Sequence, residues 1–271
     1  MLSILNSISS LTAENALSST QTSLQNTLTQ LSTGLKINSG ADDAAGLSIA
    51  NGLQANISAL TQSSQNASDG VGLLQTADGA LSQVTSLLDR AVTLATEAST
   101  GGLSTSQATA LDTEFQSIIT EIGNIGTTTN YNGTSIFGAS SNIYTTDGTT
   151  GGSSTVTTAI AALTTTGLGL TGTALTSTAA AQTALTDISA AISTIAANRG
   201  SIGASVNRLT AAANVENTEV TNLTAAQNNV QNADIGKTVA QMTQYSILQQ
   251  TGMAALSQSN QIQQAVLKLL Q

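Results

Sequence analysis

The sequence predicts a mainly α fold: an elongated antiparallel helical rod or coiled coil with paired terminal helices and a small β-hairpin tip. Three observations point to it. Apolar residues recur at alternating spacings of three and four through both halves of the chain, no proline interrupts them, and a Thr-, Ser- and Gly-rich middle loses the period.

At the amino end Ile4, Ile8, Leu11, Leu17, Leu24, Leu28, Leu31 and Leu35 form an amphipathic stripe. A second helix is predicted from about 42 to 99. Its heptad-compatible seam is Ala50, Leu53, Ile57, Leu60, Ala67, Val71, Leu74, Leu81, Leu88, Val92 and Ala95, interrupted at Ser64, Asp78 and Thr85. At 1.5 Å per residue that helix would be on the order of 85 Å long, against about 50 Å across for a compact globule of this length. A rod is therefore expected.

Gly101-Gly102 ends this helix, and Ser104 with Gln107 reads as a capping box that opens a shorter one. The face of the shorter helix is Leu111, Phe115, Ile118, Ile122 and Ile125. From Thr127 to about Gly172 there are turn signals at Asn132-Gly133 and Asp147-Gly148. Short strands at Asn142 to Thr146 and Ser154 to Ala159 make a hairpin around the latter.

The clearest seam follows: Leu185, Ile188, Ile192, Ile195, Arg199, Ile202, Val206 and Leu209, continuing through Ala213, Glu216, Val220, Leu223, Gln227 and Val230. Gly200 and Gly203 each cost about 1 kcal/mol in a helix relative to Ala. The seam passes straight through them, so one helix is expected. A last stripe runs Ile235, Val239, Met242, Tyr245, Leu248, Met253, Leu256, Ile262, Val266 and Leu270.

Composition removes several chemistries. The 271 residues include no His, Cys or Trp, which leaves no Ser-His-Asp or Cys-His nucleophile and no zinc site of the common N/S kind. No enzyme activity, metal or cofactor is expected. The six cations, Lys36, Arg90, Arg199, Arg208, Lys237 and Lys268, are too scattered for a phosphate backbone, so no nucleic-acid partner is expected. No run of about 18 apolar residues predicts membrane insertion. Met1 to Leu11 has neither a basic stretch ahead of its apolar residues nor a cleavage site, so no secretory signal peptide is expected.

Only 8% of residues are charged, for a net charge of -9, and such a surface opposes self-association weakly. Two paired terminal helices cannot enclose their stripes, and a large exposed apolar patch marks an association surface. The pattern leaves two outcomes open: a closed coiled-coil bundle, or an open helical filament of repeated docking.

Longer motifs narrow this. Leu31-Ser32-Thr33-Gly34-Leu35-Lys36-Ile37-Asn38-Ser39, with Asp42-Asp43-Ala44-Ala45-Gly46-Leu47-Ser48-Ile49-Ala50, resembles a bacterial flagellin. So do Gln65-Asn66-Ala67-Ser68-Asp69-Gly70, Gln75-Thr76-Ala77-Asp78-Gly79-Ala80-Leu81 and Asn130-Tyr131-Asn132-Gly133. Near the carboxyl end Asn232-Ala233-Asp234, Ile247-Leu248-Gln249-Gln250-Thr251-Gly252 and Ala265-Val266-Leu267-Lys268-Leu269-Leu270 resemble the family's terminal signature. The likeness covers roughly residues 1–138 and 167–271 and suggests a minimal form without large outer variable domains.

The resemblance implies an inner terminal coiled-coil domain at 1–41 and 234–271, an outer helical rod at 42–130 and 173–233, and a hairpin tip at 131–172. It implies a structural subunit that polymerises with itself into the extracellular flagellar filament. It further implies type III export without a cleaved signal, an export chaperone, and hook-filament junction and cap proteins as partners. A hook-filament junction protein, or another secreted coiled-coil assembly protein, is the alternative.

The resemblance also implies contacts to the host Toll-like receptor that senses flagellin at Arg90, Leu94 and Glu114. Asp89 and Ala91-Val92-Thr93 depart from the family's usual run there. The competing reading makes Arg90 and Glu114 intramolecular surface partners and Leu94 buried assembly core. Arg199, a cation on the seam, either snorkels its guanidinium to an edge or pairs with a carboxylate, or sets register through an ion pair between subunits. Gly70, Gly72 and Gly79 are costly inside a helix, and their match to the family pattern implies tight packing between subunits.

Overall fold

The computed structural model describes residues 8–146 and 155–269. Among them the chain is mainly α, as the periodicity predicts: α1 (Ile8–Thr33), α2 (Ala44–Ala98), α3 (Thr105–Thr128), α4 (Thr178–Gln231) and α5 (Ile235–Leu269). Two antiparallel strand pairs complete it, β1 (Asn130–Tyr131) with β2 (Thr134–Ser135) and β3 (Ser140–Tyr144) with β4 (Thr155–Ala159). Contacts divide the chain into a terminal unit, residues 1–55 and 222–271, and a central unit, residues 56–221. These boundaries fall inside α2 and α4, whereas the resemblance implies them at 41/42 and 233/234.

Four helix starts have a local cause. The Ser104 side chain accepts from the Gln107 N–H while the Gln107 side chain reaches back to the cap backbone, the expected capping box. Asp43 accepts from the Gly46 N–H at 2.9 Å, Ser177 from Ala180 at 3.2 Å and Asp234 from Lys237 at 3.1 Å, so α2, α4 and α5 begin on side-chain caps as well. α4 continues unbroken through Gly200 and Gly203.

In the central unit α2 and α4 run antiparallel. Ser63 meets Glu216, Gly70 faces Leu209 and Asp78 meets Arg199, so numbers rise on one helix as they fall on the other. The buried seam of α2 holds Leu60, Ala67, Leu74, Leu81, Leu88 and Ala95, as expected. Its second line differs: Ser63, Gly70, Ala77, Val84, Ala91 and Ala98 are buried, whereas Ile57, Ser64, Val71, Asp78, Thr85 and Val92 are only half-buried. α2 has neighbours on two sides, and its small residues admit α3 and the hairpin. A reading weighted toward large side chains passes over that line.

Gly70 and Gly72 are corrected in the same way. A Cβ on Gly70 would collide with Ile143 of β3, and one on Gly72 would lie 3.2 Å from the Tyr131 hydroxyl, so their close neighbours belong to the same chain. Gly79 has nothing within 4 Å.

The β3–β4 pair is in register from Ser140 opposite Ala159 to Tyr144 opposite Thr155, so β3 lies two residues earlier than expected. The turn expected at Asp147-Gly148 lies outside the described residues. β1 and β2 were not expected. They close through Asn132 and Gly133, at φ 49° and 79°, the left-handed pair that a two-residue hairpin loop requires. Past β4, Ile160, Leu163, Leu168, Leu170 and Leu175 enter the core from irregular backbone.

Candidate self-assembly surface

Gly34, at φ 73°, ends α1 in the left-handed conformation, with its N–H on the Gln30 carbonyl at 2.9 Å. The strand-like residues that follow meet the end of α4 and the start of α5. Leu35 pairs with Asn232, the Lys36 N–H donates to Gln231 at 2.7 Å, and Ala233 donates to Gly34 at 2.9 Å. α1 and α5 leave this clasp antiparallel and packed along their length. The approach is close because small groups sit between the helices. The Ser10 and Ser259 hydroxyls are 2.8 Å apart, and a Cβ added to Gly252 would lie 3.3 Å from Leu17 Cδ1. Thr27 and Thr238 are buried, with hydroxyls on the Ser23 and Asp234 carbonyls.

The paired helices half-bury Leu17, Leu24, Leu31 and Leu35 from one side and Met242, Tyr245 and Leu256 from the other. The other described side chains of the two stripes face water. Ile8 is 78% exposed, Leu11 54%, Leu28 46%, Ile235 48%, Val239 40%, Leu248 45%, Met253 50% and Ile262 55%. Ile247, 58% exposed, and Ile49 on α2, 55%, add to the apolar surface of this unit, and the stripe reading missed both. Both stand off the three-four register. Ile4 and Leu270 lie outside the described residues, as does the side chain of Val266.

The terminal unit therefore presents apolar surface without a core of its own. Among the described residues Ile37 and Ala50 are its only buried apolar side chains, and every other member of the buried apolar set belongs to the central unit. The rod residues follow that division. Leu60, Leu74, Leu81, Leu88, Ile188, Ile195, Ile202 and Leu209 are buried, while Ile57, Val71, Leu185, Ile192 and Val206 are half-buried, as is Leu53 in the terminal unit.

Of the three residues matched to receptor contacts, Leu94 has no exposed surface. Arg90 and Glu114 are open to solvent and bonded to each other, Nε to Oε1 at 2.8 Å. In this conformation only Arg90 and Glu114 face outward. Arg199 binds Asp78 of its own chain. Among the described residues no three acidic side chains stand together to hold a metal ion, and no helix is long and apolar enough to cross a membrane.

Comparison with known proteins reaches the same elements. Residues 4–142 match the bacterial flagellin N-terminal helical region, and residues 185–270 match the bacterial flagellin C-terminal helical region. A flagellin of Serratia marcescens is 39% identical over 146 residues, 54% of this chain and 42% of that protein. A phase 1 flagellin of Salmonella naestved is 41% identical over 131 residues, 48% of this chain and 26% of that protein. The chain thus spans less than half the length of these curated relatives. The crystal structure of a Bacillus cereus flagellin superposes with a TM-score of 0.51 and 32% identity, covering 60% of this chain and 94% of that one. The first matched region takes in α1, α2 and α3, and the second takes in most of α4 and all of α5. With the two antiparallel pairs supplied from opposite ends of the sequence by these regions, the chain belongs to the bacterial flagellin family, a family of structural proteins.

Proposed function

We propose that this chain is a non-enzymatic structural subunit that assembles with copies of itself into the extracellular flagellar filament, the helical propeller of motility. One observation carries the reading. The terminal unit exposes ten large apolar side chains along α1, α5 and the start of α2, and buries only Ile37 and Ala50 among its described apolar residues. Each such side chain fully withdrawn from water is worth about 1.5–3 kcal/mol. A surface of this kind calls for apolar partners, and a second copy carries the same stripes. Repeated docking that does not close on itself yields a helical polymer.

Export through the type III apparatus, a chaperone that covers α5 before export, and junction and cap proteins at the filament ends belong to the same proposal and rest on family membership. So does a host receptor contact, here confined to Arg90 and Glu114. A receptor reporter assay on monomer that stays silent at high dose removes that last element.

Leu248→Asp and Ile247→Asp test the reading. Both change exposed positions of α5, so the thermal unfolding of the monomer should stay near that of the wild type while polymerisation, followed by sedimentation, is lost. Variants that polymerise like the wild type would overturn it. Discrete oligomers of the wild-type chain would favour a junction protein or closed bundle.

A further inference from the structure

We propose that Ser63, Glu216 and the Tyr144 carbonyl form a proton-controlled latch between the α2–α4 pair and the β3–β4 hairpin, in which the protonation of Glu216 decides which acceptor the single Ser63 hydroxyl hydrogen serves. The inference stands on the central unit alone and does not depend on the filament reading.

Ser63 Oγ lies 2.8 Å from Glu216 Oε1 and 3.1 Å from the Tyr144 carbonyl oxygen. A hydroxyl has one hydrogen to donate. If Glu216 is ionised, both neighbours are acceptors and one goes unserved. If Glu216 carries a proton, Oε1–H donates to Ser63 Oγ and the Ser63 hydrogen goes to the Tyr144 carbonyl, so neither neighbour of Ser63 goes unserved. The other carboxyl oxygen, Oε2, is buried without a hydrogen-bond partner. That is a modest cost for a neutral carbonyl oxygen and a larger one for a carboxylate.

The surroundings favour the proton. Glu216 is 4% exposed and Ser63 3%. The adjoining groove, about 350 Å³, is lined from α2 by Leu60, from just past β3 by Thr145 and Thr146, and from α4 by Ala211, Val215 and Glu219, among others, with no lysine or arginine. The charged group that faces Glu216 from its own helix is Glu219, and among the described residues no charged side chain of α2 or of the hairpin lines the groove. Burial raises the Glu216 carboxyl above its ordinary range. The Ser63 hydrogen bond opposes this and the Glu219 charge adds to it. Because the folded-state value is raised, the stability that the protonated latch contributes is fully present below the unfolded-state value and is lost as pH rises through the folded one.

The test is a carbon-13 NMR titration of the full chain from about pH 3.5 to 8, across the ordinary Glu value of about 4.3, reading the Glu216 carboxyl and the Tyr144 carbonyl. Glu216 should titrate above an ordinary Glu, and the Tyr144 carbonyl should shift with the same midpoint. In E216Q, whose amide donates to Ser63 as the protonated acid does, the Tyr144 signal should stay at its acid-form position throughout. In S63A the Tyr144 signal should be flat while Glu216 still titrates. Thermal melts add a stability readout: E216Q should gain on the wild type as pH rises. An ordinary Glu216 midpoint, a flat Tyr144 signal in the wild type, a Tyr144 response that persists in S63A, or an E216Q advantage that does not change with pH would overturn the latch.

Discussion

Arg199 of α4 holds Asp78 of α2 in a fork, Nε to Oδ1 at 2.8 Å and Nη2 to Oδ2 at 3.2 Å. Both residues occupy seam positions where an apolar side chain would be expected, and each interrupts its own helix's pattern opposite the other. The pair also raises the already high Arg199 value through the Asp78 hydrogen bond and charge. Because the two side chains remain 38% and 41% exposed, the fork fixes register at little energetic cost or gain. A double-mutant cycle of Asp78→Ala and Arg199→Ala, followed by urea unfolding, should give a coupling of about 0.2–1 kcal/mol. That coupling should shrink as salt is raised. A coupling of zero at low salt would deny the contact in solution.

Glycines on the helices should respond in opposite directions. A Cβ on Gly126 would fall onto the Leu163 carbonyl oxygen, whose backbone lies in the packed irregular segment. Gly126→Ala should lose about 1–3 kcal/mol. Gly200 has nothing within 4 Å, so Gly200→Ala should gain up to about 1 kcal/mol in monomer. Thermal melts of the two monomers decide the matter, and equal effects would contradict the packing described.

Leucines should divide by unit. Leu81 is 1% exposed in the central core, and Leu81→Ala should cost about 2–5 kcal/mol of monomer stability. Leu11 is 54% exposed, and Leu11→Ala should change it by no more than about 0.5 kcal/mol. Denaturant unfolding of the monomers measures both. A large loss at Leu11 would mean that the terminal unit has a core of its own.

Two carboxyls should carry opposite pH signs. Asp42 accepts from the Asn38 and Ser39 backbone N–H groups at 3.1 and 2.9 Å, and these bonds hold it below the ordinary range. Its contribution to the 38–42 turn is present above the unfolded-state value and is lost as pH falls through the folded one. Glu216 runs the other way. Amide signals of Asn38 and Ser39 should therefore move only at the acid end of a titration, and Asp42→Asn should abolish that movement.

The long helices were legible because a seam of large apolar residues survives single interruptions, and the α3 start because a capping box is a local signal. Legibility failed where burial falls on small or polar residues. Glu216 is buried beside an exposed Val215, against their hydrophobicity, and Ser63 is buried beside a half-buried Ser64 that hydrophobicity does not distinguish from it. The β3 bounds slipped because Ile143 is the strand's one buried residue, and Ser140, Ser141 and Asn142 ahead of it carry no strand signal. The segment from Ile160 to Leu175 went unread because its side chains reach the core from backbone without a period. The stripes of α1 and α5 were legible as amphipathic, but their weak enclosure appears only once the two helices are paired.

Electron microscopy of the purified chain after an ammonium sulfate jump, which strengthens apolar burial and screens the net charge of -9, tests the central claim most directly. The full chain should form long, uniform filaments, and chains lacking residues 1–30 or 245–271 should form none under the same conditions. Small closed oligomers from the full chain even with filament seeds, or filaments from the truncated chains, would contradict assembly through the terminal helices.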